Sequence, residues 1–131
     1  MERERSGRCV LVADDEDLVR WSLRERLWNE GYQVVAVESG REAVAASPSA
    51  DVAVLDWRLP DIDGLEVARA IRLARPSCPV IFMTAYLTPE LEEQAARAAV
   101  RRVLAKPFDL DDLVRAVRET LERAGSVRGA S

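Results

Sequence analysis

The sequence lacks several features that would point to common classes of site. It has no histidine, only two cysteines and no apolar run of the ~20 residues that a membrane span needs. Without histidine there is no imidazole to bind a metal, to activate a serine or cysteine nucleophile, or to donate a phosphoryl group. Two cysteines are too few for a disulfide framework. Residues 1–7 are polar and charged, unlike a signal peptide, so we expect a cytoplasmic protein.

An excess of basic residues is also missing. The chain has 19 Lys and Arg against 23 Asp and Glu, a net charge of −4. No basic face for nucleic acid is evident, so we expect no direct nucleic-acid binding and no membrane partner. At 131 residues and 48% hydrophobic content, the chain supports one compact core. We predict one domain over residues 8–124, with flexible termini at 1–7 and 125–131, the second of which could begin a linker.

One stretch, residues 52–64, organises the rest. It reads VAVLDWRLPDIDG, a Val-rich run that stops at Asp56 and then turns through Pro60 and Gly64. A short continuous apolar run predicts a strand buried on both faces, which is typical of parallel sheets. Asp56 then lies at the carboxyl end of a central strand. Ligands of open α/β sheets bind at that edge, so Asp56 is the candidate reactive residue.

Strand-like and helix-like patterns alternate along the whole chain. This alternation predicts an α/β fold, a doubly wound five-stranded parallel sheet in the flavodoxin-like order 2-1-3-4-5, with helices on both faces. In that order Cys9 and Cys78 lie on strands separated by a third, about 10 Å apart, too far for a disulfide. The other strands are predicted at about 9–13, 34–37, 79–84 and 102–105, and the helices at about 17–30, 43–46, 65–71, 88–98 and 109–121.

The same strand order brings further polar residues to the edge that holds Asp56. Asp14 and Asp15 follow the first strand, Thr84 ends the fourth, and Lys106 follows the fifth. Clustered carboxylates favour a hard divalent cation, and without one their mutual repulsion should make one of them titrate high. Lys106 offers a mobile positive charge that can pair with a carboxylate.

Together these residues resemble the signature of the receiver domain of two-component response regulators. The matching residues are Asp14-Asp15, Asp56, Thr84 and Lys106-Pro107-Phe108, and the resemblance covers roughly residues 8–123. It implies that Asp56 accepts a phosphoryl group, which Thr84 and Lys106 contact. It also implies that Asp15 and Asp56 bind Mg²⁺ (or Mn²⁺) directly, Asp14 through water and Arg58 through its backbone carbonyl. The Lys106-Pro107 bond is implied to be cis.

The resemblance also implies partners. The phosphodonor would be a sensor histidine kinase or phosphotransferase of a phosphorelay, or a small phosphodonor. Phosphorylation would switch the face formed by the fourth helix, fifth strand and fifth helix, whose mixed charges suit a phosphorylation-dependent homodimer. The segments Asp-Trp-Arg-Leu-Pro and Met-Thr-Ala-Tyr are similar to receivers attached to transcriptional activators. The charged residues of that face are Glu92, Arg97, Arg101, Arg102, Asp111 and Arg115.

Some positions depart from the family pattern. Val103 stands where the family usually has an aromatic residue, and Tyr86 is a candidate substitute for that moving ring. Arg58 and Tyr86 are bulky at positions that flank the phosphoryl group, which predicts slow dephosphorylation. Trp21 and Trp28 form a stripe with Leu18 on the first helix. Extra packing against the last helix is the favoured interpretation, and an exposed aromatic anchor for the kinase is the alternative.

Two other classes of protein use part of this pattern. A Mg²⁺-dependent phosphatase of the haloacid-dehalogenase type places a second Asp two residues after the nucleophile, where this chain has Arg58. A nucleotide or flavin module needs a Gly/Ser/Thr-rich phosphate loop, where this chain has Asp14-Asp15-Glu16-Asp17. We therefore expect a signalling domain rather than an enzyme, with at most self-phosphorylation and autodephosphorylation. A degenerate receiver that acts only as an interaction module stays an alternative.

Overall fold

The computed structural model describes residues 7–98 and 100–130, with side chains as far as Ala124. Five strands pair in parallel in the order β2-β1-β3-β4-β5, which confirms the predicted fold. The strands are β1 (Cys9–Ala13), β2 (Gln33–Val37), β3 (Val52–Asp56), β4 (Val80–Thr84) and β5 (Arg102–Ala105). The helices are α1 (Asp17–Asn29), α2 (Gly40–Ala46), α3 (Gly64–Ala74), α4 (Pro89–Arg97) and α5 (Leu110–Ala130), with a short 3₁₀ helix at Ser47–Ser49.

The sheet separates two apolar clusters, and its central strands are buried throughout. Every residue of β3 and β4 is buried, as expected for strands covered by helices on both faces. One cluster packs the sheet against α1 and α5, through residues such as Leu23, Leu27 and Val117. The other packs it against α2, α3 and α4, through residues such as Val67, Ile71 and Ala95. A sheet covered on both faces leaves its carboxyl edge as the open place for polar side chains.

The strand register aligns the polar residues at that edge. Ala13 pairs with Leu55, which sets Asp14 level with Asp56 on the neighbouring strand. Asp56 itself pairs with Met83, the residue before Thr84, and Thr84 pairs with Ala105, the residue before Lys106. The first, third, fourth and fifth strands therefore deliver their terminal residues to one place.

Local sequence sets the starts of three helices. The Ser39 hydroxyl caps α2 by accepting a hydrogen bond from the Glu42 N–H at 3.2 Å, and it donates to the Glu42 carboxylate at 3.0 Å. Thr88 caps α4 by accepting from the Leu91 N–H at 3.1 Å, with Pro89 as the first helical residue. Gly64 begins α3 where a Cβ atom would lie 2.7 Å from the Trp57 carbonyl oxygen. The turn after Asp56 can close only because this residue has no side chain.

Two predictions on the chain ends differ from the structure or lie outside it. Helix α5 continues through Gly125 to Ala130, whereas the sequence interpretation ended it before Gly125. One glycine costs a helix only ~1 kcal/mol relative to alanine, which does not end a helix of this length. Residues 1–6 and 131, also predicted to be flexible, lie outside the described residues.

Two predicted absences can be compared with the structure. Cys9 and Cys78 are free thiols, as predicted from their separation in the strand order. Among the residues that the structure describes, no helix combines the length and apolar character needed to cross a bilayer.

Candidate functional site

A lysine and three carboxylates meet at the carboxyl edge of the sheet. The Lys106 ammonium donates hydrogen bonds to Asp14 Oδ2 and to Asp56 Oδ2, both at 2.9 Å. Asp14 is fully buried, Asp56 is 8% exposed, and Asp15 is exposed beside them. Carboxylate oxygens of Asp14, Asp15 and Asp56 all lie within 4.8 Å of one another. The residues that the sequence placed at this edge therefore form one cluster.

Asp14 is held in place on every side. Its backbone N–H donates to the Val37 carbonyl at 3.1 Å, and its own carbonyl accepts from the Arg20 guanidinium at 2.9 Å. Its Oδ1 atom accepts from the Glu16 N–H at 2.9 Å, while Oδ2 accepts from Lys106. Both carboxylate oxygens of this buried residue are therefore engaged, which offsets much of the cost of burying the group.

The Asp56 carboxylate is also oriented by the chain around it. Its Oδ1 atom accepts from the Arg58 N–H at 3.0 Å, in a tight turn that follows β3. The residue between them, Trp57, packs edge-on against Phe82, with ring centroids 4.8 Å apart. The turn and the Lys106 contact hold both oxygens in a defined direction before any reaction.

Burial dominates the protonation behaviour of Asp56. Desolvation raises the pKa of Asp56 above its ordinary value, and the nearby Asp14 charge raises it further, against the lowering effects of Lys106 and the Arg58 N–H. The direction of this pKa shift agrees with the expectation that one carboxylate of the cluster titrates high. The main cause is burial and not the repulsion between carboxylates from which the expectation was derived.

Lys106 responds to the same surroundings in the opposite way. Burial would lower the pKa of its ammonium group, but hydrogen bonds and charges from Asp14 and Asp56 outweigh burial and raise the pKa above the ordinary value. Lys106 therefore carries its charge over the whole physiological range. A positive charge is held permanently against the Asp56 carboxylate.

Thr84 and the Lys106 backbone tie β4 to β5 at this edge. Thr84 is 3% exposed, and its carbonyl accepts from the Lys106 N–H at 2.7 Å. Its hydroxyl oxygen accepts from the Tyr86 N–H at 3.1 Å. The Lys106-Pro107 peptide bond is cis, as the family resemblance implied. The hydroxyl of Thr84 thus lies in the turn that leads to α4.

A contact between Arg58 and Tyr86 was not predicted. The Arg58 guanidinium lies over the Tyr86 ring, 5.3 Å from its centroid, in a cation–π arrangement. Their positions in the sequence could have indicated this contact. Arg58 is two residues after the end of β3, Tyr86 is two residues after the end of β4, and the two strands are neighbours. Sequence reasoning placed both beside Asp56 but not against each other. The pair joins the loop after β3 to the loop after β4.

The carboxylate cluster suits a hard divalent cation. Mg²⁺ prefers oxygen ligands and keeps several of its waters, and Asp15 is exposed, so the cluster is open to solvent. Asp14, Asp15 and Asp56 supply only carboxylate oxygens, with no nitrogen or sulfur donor among them. The donor set therefore fits Mg²⁺ or Mn²⁺ and does not favour zinc or copper.

Comparisons with known proteins agree with this geometry. Residues 10–118 match the response regulator receiver domain family. The chain belongs to that family. It is 36% identical over 119 residues to the transcriptional regulatory protein PdtaR of Mycobacterium tuberculosis, covering 88% of this chain and 58% of that protein. It is 37% identical over 123 residues to the response regulator MprA of Mycolicibacterium vanbaalenii, covering 92% of this chain and 53% of that protein.

A solved structure shows the same fold. A CheY-like response regulator receiver domain from Methanospirillum hungatei superposes with a TM-score of 0.86 at 26% identity, covering 91% of this chain and 97% of that one. The receiver described here spans little more than half the length of the two regulators named above. The chain is thus a phosphoacceptor signalling domain of the response-regulator type.

The stripe of Leu18, Trp21 and Trp28 on α1 was expected to pack against the last helix. Leu18, Trp21 and Trp28 are 74%, 55% and 43% exposed, and none of them joins the apolar cluster between α1 and α5. Besides the apolar cluster, α1 contacts α5 through Arg26, whose guanidinium pairs with the Asp111 carboxylate at 2.5 Å. Both tryptophans are thus exposed, and the core side of α1 is filled by Val19, Leu23 and Leu27.

The predicted switch face has the light packing that movement requires. In α4 the buried residues are Leu91 and Ala95, so little apolar area holds this helix to the sheet. Val103 is half-buried in the cluster beneath it, and Tyr86 is 66% exposed. Several charges of this face pair locally, Arg97 with Glu93 at 2.6 Å and Arg102 with Glu119 at 3.3 Å. These pairs are exposed, so they can exchange partners at little cost.

Proposed function

We propose that Asp56 accepts a phosphoryl group in a Mg²⁺-dependent (or Mn²⁺-dependent) reaction, and that the face formed by α4, β5 and α5 responds. The donor is a sensor histidine kinase, a phosphotransferase or a small phosphodonor. The observation that carries this proposal is the Lys106 ammonium, which contacts Asp14 and Asp56 at 2.9 Å each beside the exposed Asp15. A carboxylate held between a fixed cation and a metal-binding cluster is suited to phosphoryl transfer.

The reaction assigns a role to each group of the site. A carboxylate oxygen of Asp56 forms a bond to phosphorus, and the bond from phosphorus to the donor breaks with its electron pair going to the donor. Asp15 and Asp56 would hold Mg²⁺ directly, Asp14 through water and Arg58 through its backbone carbonyl. When bound, the cation neutralises negative charge on the phosphoryl oxygens. Lys106 already lies against Asp56 and supplies a second positive charge there.

Thr84 would connect the site to α4. Its hydroxyl accepts a hydrogen bond from the Tyr86 N–H, and the same group can donate its hydrogen to a phosphoryl oxygen. Moving toward the phosphoryl group would pull on the turn at residues 84–86. Tyr86 lies in this turn, and its ring packs against Arg58. Because Val103 replaces the family's usual aromatic residue, we assign the moving ring to Tyr86, which would turn when the residue 84–86 segment is pulled. A loosely packed α4 would follow.

The alternatives receive less support from the site. A phosphatase of the haloacid-dehalogenase type needs a general acid two residues after Asp56, and the Arg58 side chain there stacks on Tyr86. A degenerate receiver would lack part of the phosphoacceptor set. Asp14, Asp15, Asp56, Thr84 and Lys106 are all present at one edge.

The kinase is proposed to dock beside Lys106. An apolar groove of about 550 Å³ runs from Leu18 and Leu23 of α1 to Phe108 and Leu110 after β5, with Lys106 in its lining. A helical donor bound in this groove would lie beside Lys106, which contacts Asp56. Exposed Leu18 extends the apolar surface of this groove outward.

A phosphorylation-dependent homodimer would use a separate surface, the face formed by α4, β5 and α5.

Incubation with acetyl phosphate and Mg²⁺ tests the assignment of Asp56. We expect intact mass spectrometry to show one added phosphate on the wild-type receiver and none on Asp56→Asn or in excess EDTA. Asp63→Asn is the matched control, because it removes a carboxylate from the same loop while asparagine can still cap α3. Equal labelling of Asp56→Asn and the wild type would refute the assignment.

The Arg58–Tyr86 contact should slow loss of the phosphoryl group. If the pair must separate before water can approach in line, breaking it removes a barrier of ~1 kcal/mol, equivalent to roughly fivefold in rate. We expect Arg58→Ala, Tyr86→Ala and the double variant to dephosphorylate faster by similar factors, since either change breaks the contact. Tyr86→Phe keeps the ring and should behave as wild type. Decay that is unchanged or slower in the double variant would contradict this role.

A further inference from the structure

A second cleft opens at the amino edge of the sheet, away from Asp56. Its volume is about 600 Å³, and it is lined by Arg72 of α3, Arg101 before β5 and Arg123 of α5. The start of β4 at Val80 borders this cleft, whereas Thr84 at the end of β4 borders the phosphoacceptor site. Along β4, Val80 and Thr84 are four residue steps apart, which corresponds to about 13 Å. The cleft is therefore a feature separate from the site already described.

The described residues that line this cleft include three arginines and no acidic residue. Glu119 lies in an adjoining depression that Arg101 and Arg123 also line. Within the described part of the chain, the guanidinium groups of Arg72, Arg101 and Arg123 have no carboxylate oxygen within 4.0 Å, although eight other arginines do.

The Arg72 side chain is partly positioned by the fold. Its guanidinium donates one hydrogen bond, to the Ala98 carbonyl at 3.3 Å, which ties α3 to the segment after α4. Within the described residues, its other N–H groups make no further hydrogen bond. Guanidinium groups bind phosphate through paired hydrogen bonds, and several converging on one cleft select for a polyanionic group.

The remaining lining is mostly apolar. Val80, Val100 and Pro79 contribute walls, and Cys78 is 2% exposed. Burial raises the pKa of the Cys78 thiol to about 11, so the sulfur is neutral and adds to the apolar surface. A ligand that fits must therefore combine an anionic group with an apolar body. A volume of about 600 Å³ lies within the range of small-molecule sites.

We propose that this cleft binds a phosphate-bearing small molecule with a flat apolar body, of the size of a nucleotide. The phosphates would lie among Arg72, Arg101 and Arg123, and the apolar body against the partly exposed side chains of Pro79 and Val100. The ligand would contact α3, the described residues Ala98, Val100 and Arg101, and α5 at once. A ligand bound there would link α5 and the start of β5 to α3. It would therefore restrain part of the face formed by α4, β5 and α5 without touching Asp56.

Calorimetric titration with ADP tests the site. The receiver is kept in EDTA, so that no divalent cation can recruit phosphate to the carboxylate cluster. We expect ADP to bind, pyrophosphate to bind more weakly and adenosine to give no heat. Arg72→Ala, Arg101→Ala and Arg123→Ala should each weaken ADP binding about tenfold, which is about 1.4 kcal/mol. All three arginines are exposed, so the variants should fold, which circular dichroism can confirm.

Two control variants separate this site from other anion binding. Arg24→Ala removes an exposed arginine of α1, far from the cleft, and should leave ADP affinity unchanged. Asp56→Asn should also bind ADP as the wild type does, because the cleft is separate from the phosphoacceptor. Absence of ADP binding would overturn the proposal. So would equal weakening in Arg24→Ala, or adenosine binding as tightly as ADP.

Discussion

Replacing Lys106 by methionine should lower the free energy of unfolding by about 3 kcal/mol in metal-free buffer at neutral pH. Methionine retains much of the side-chain volume but leaves Asp14, which is fully buried, and Asp56, which is nearly so, without their shared positive partner. Removing one member of a buried ionic group leaves an uncompensated charge, and this costs far more than losing an exposed pair. Urea denaturation of both proteins in EDTA measures the difference.

The pKa shifts of Lys106 and Asp56 predict how the difference in unfolding free energy between wild type and Lys106→Met changes with pH. The folded-state pKa of Lys106 is raised, so the stability it contributes is present below its ordinary pKa of 10.5 and is lost as the pH rises through the folded value. The pKa of Asp56 is raised as well, so the cost of burying its charge appears above its ordinary pKa of 3.8. The deficit of Lys106→Met should therefore shrink as the pH falls and Asp56 binds a proton.

A suitable control removes a cation that has no buried partner. Arg24→Met, on the exposed side of α1, should change the free energy of unfolding by less than about 0.5 kcal/mol. A Lys106→Met deficit no larger than that of Arg24→Met would mean that Asp14 and Asp56 do not depend on Lys106 for compensation.

Addition of Mg²⁺ should stabilise the wild-type receiver by about 2.7 kcal/mol at a free concentration of 100 times its dissociation constant. Binding to the native state alone shifts the unfolding equilibrium, and the cluster of Asp14, Asp15 and Asp56 exists only in the folded chain. Asp15→Asn should lose most of this stabilisation, because Asp15 is the exposed carboxylate through which the cation reaches the cluster. Thermal denaturation across a Mg²⁺ series measures the effect.

Trp57 provides an independent measure of the same binding. It adjoins Asp56 and packs edge-on against Phe82, so its fluorescence should change on Mg²⁺ titration in a Trp21→Phe/Trp28→Phe variant. Glu25→Gln removes a remote carboxylate of α1 and should leave both readouts unchanged. Full Mg²⁺ stabilisation of Asp15→Asn would contradict the assigned metal site.

The sequence was sufficient to predict the sheet and the residues at its edge. Continuous apolar runs at β1, β3 and β4 predicted buried parallel strands, and the strand order then placed Asp14, Asp56, Thr84 and Lys106 together. This worked because strand identity depends on local periodicity, while the convergence of strand ends follows from parallel pairing.

Contacts between loops were less accessible to sequence reasoning. The stacking of Arg58 on Tyr86 depends on side-chain rotamers in two loops that are distant in the chain, and no pattern specifies these rotamers. The arginine cleft is similar, since Arg72, Arg101 and Arg123 come from three separated segments.

The tryptophans of α1 show a different limit. Trp21 and Trp28 are large apolar residues at helical spacing, which favours burial when sequence is the only guide. The stripe of Val19, Leu23 and Leu27 already filled the core side of the helix, so the tryptophans face outward. Composition alone could not decide which of two apolar stripes would be buried.

Backbone NMR with beryllofluoride, a mimic of the phosphoryl group, tests most directly whether Asp56 controls the face of α4, β5 and α5. We expect Mg²⁺ and beryllofluoride to shift amide resonances from Thr84 to Lys106, with smaller shifts in Tyr86→Ala and none in Asp56→Asn. Thr84 ends β4 beside the site and leads into the turn before α4. Lys106 directly follows β5 and also adjoins the site. Shifts confined to the loops that carry Asp14 and Asp56 would contradict the account.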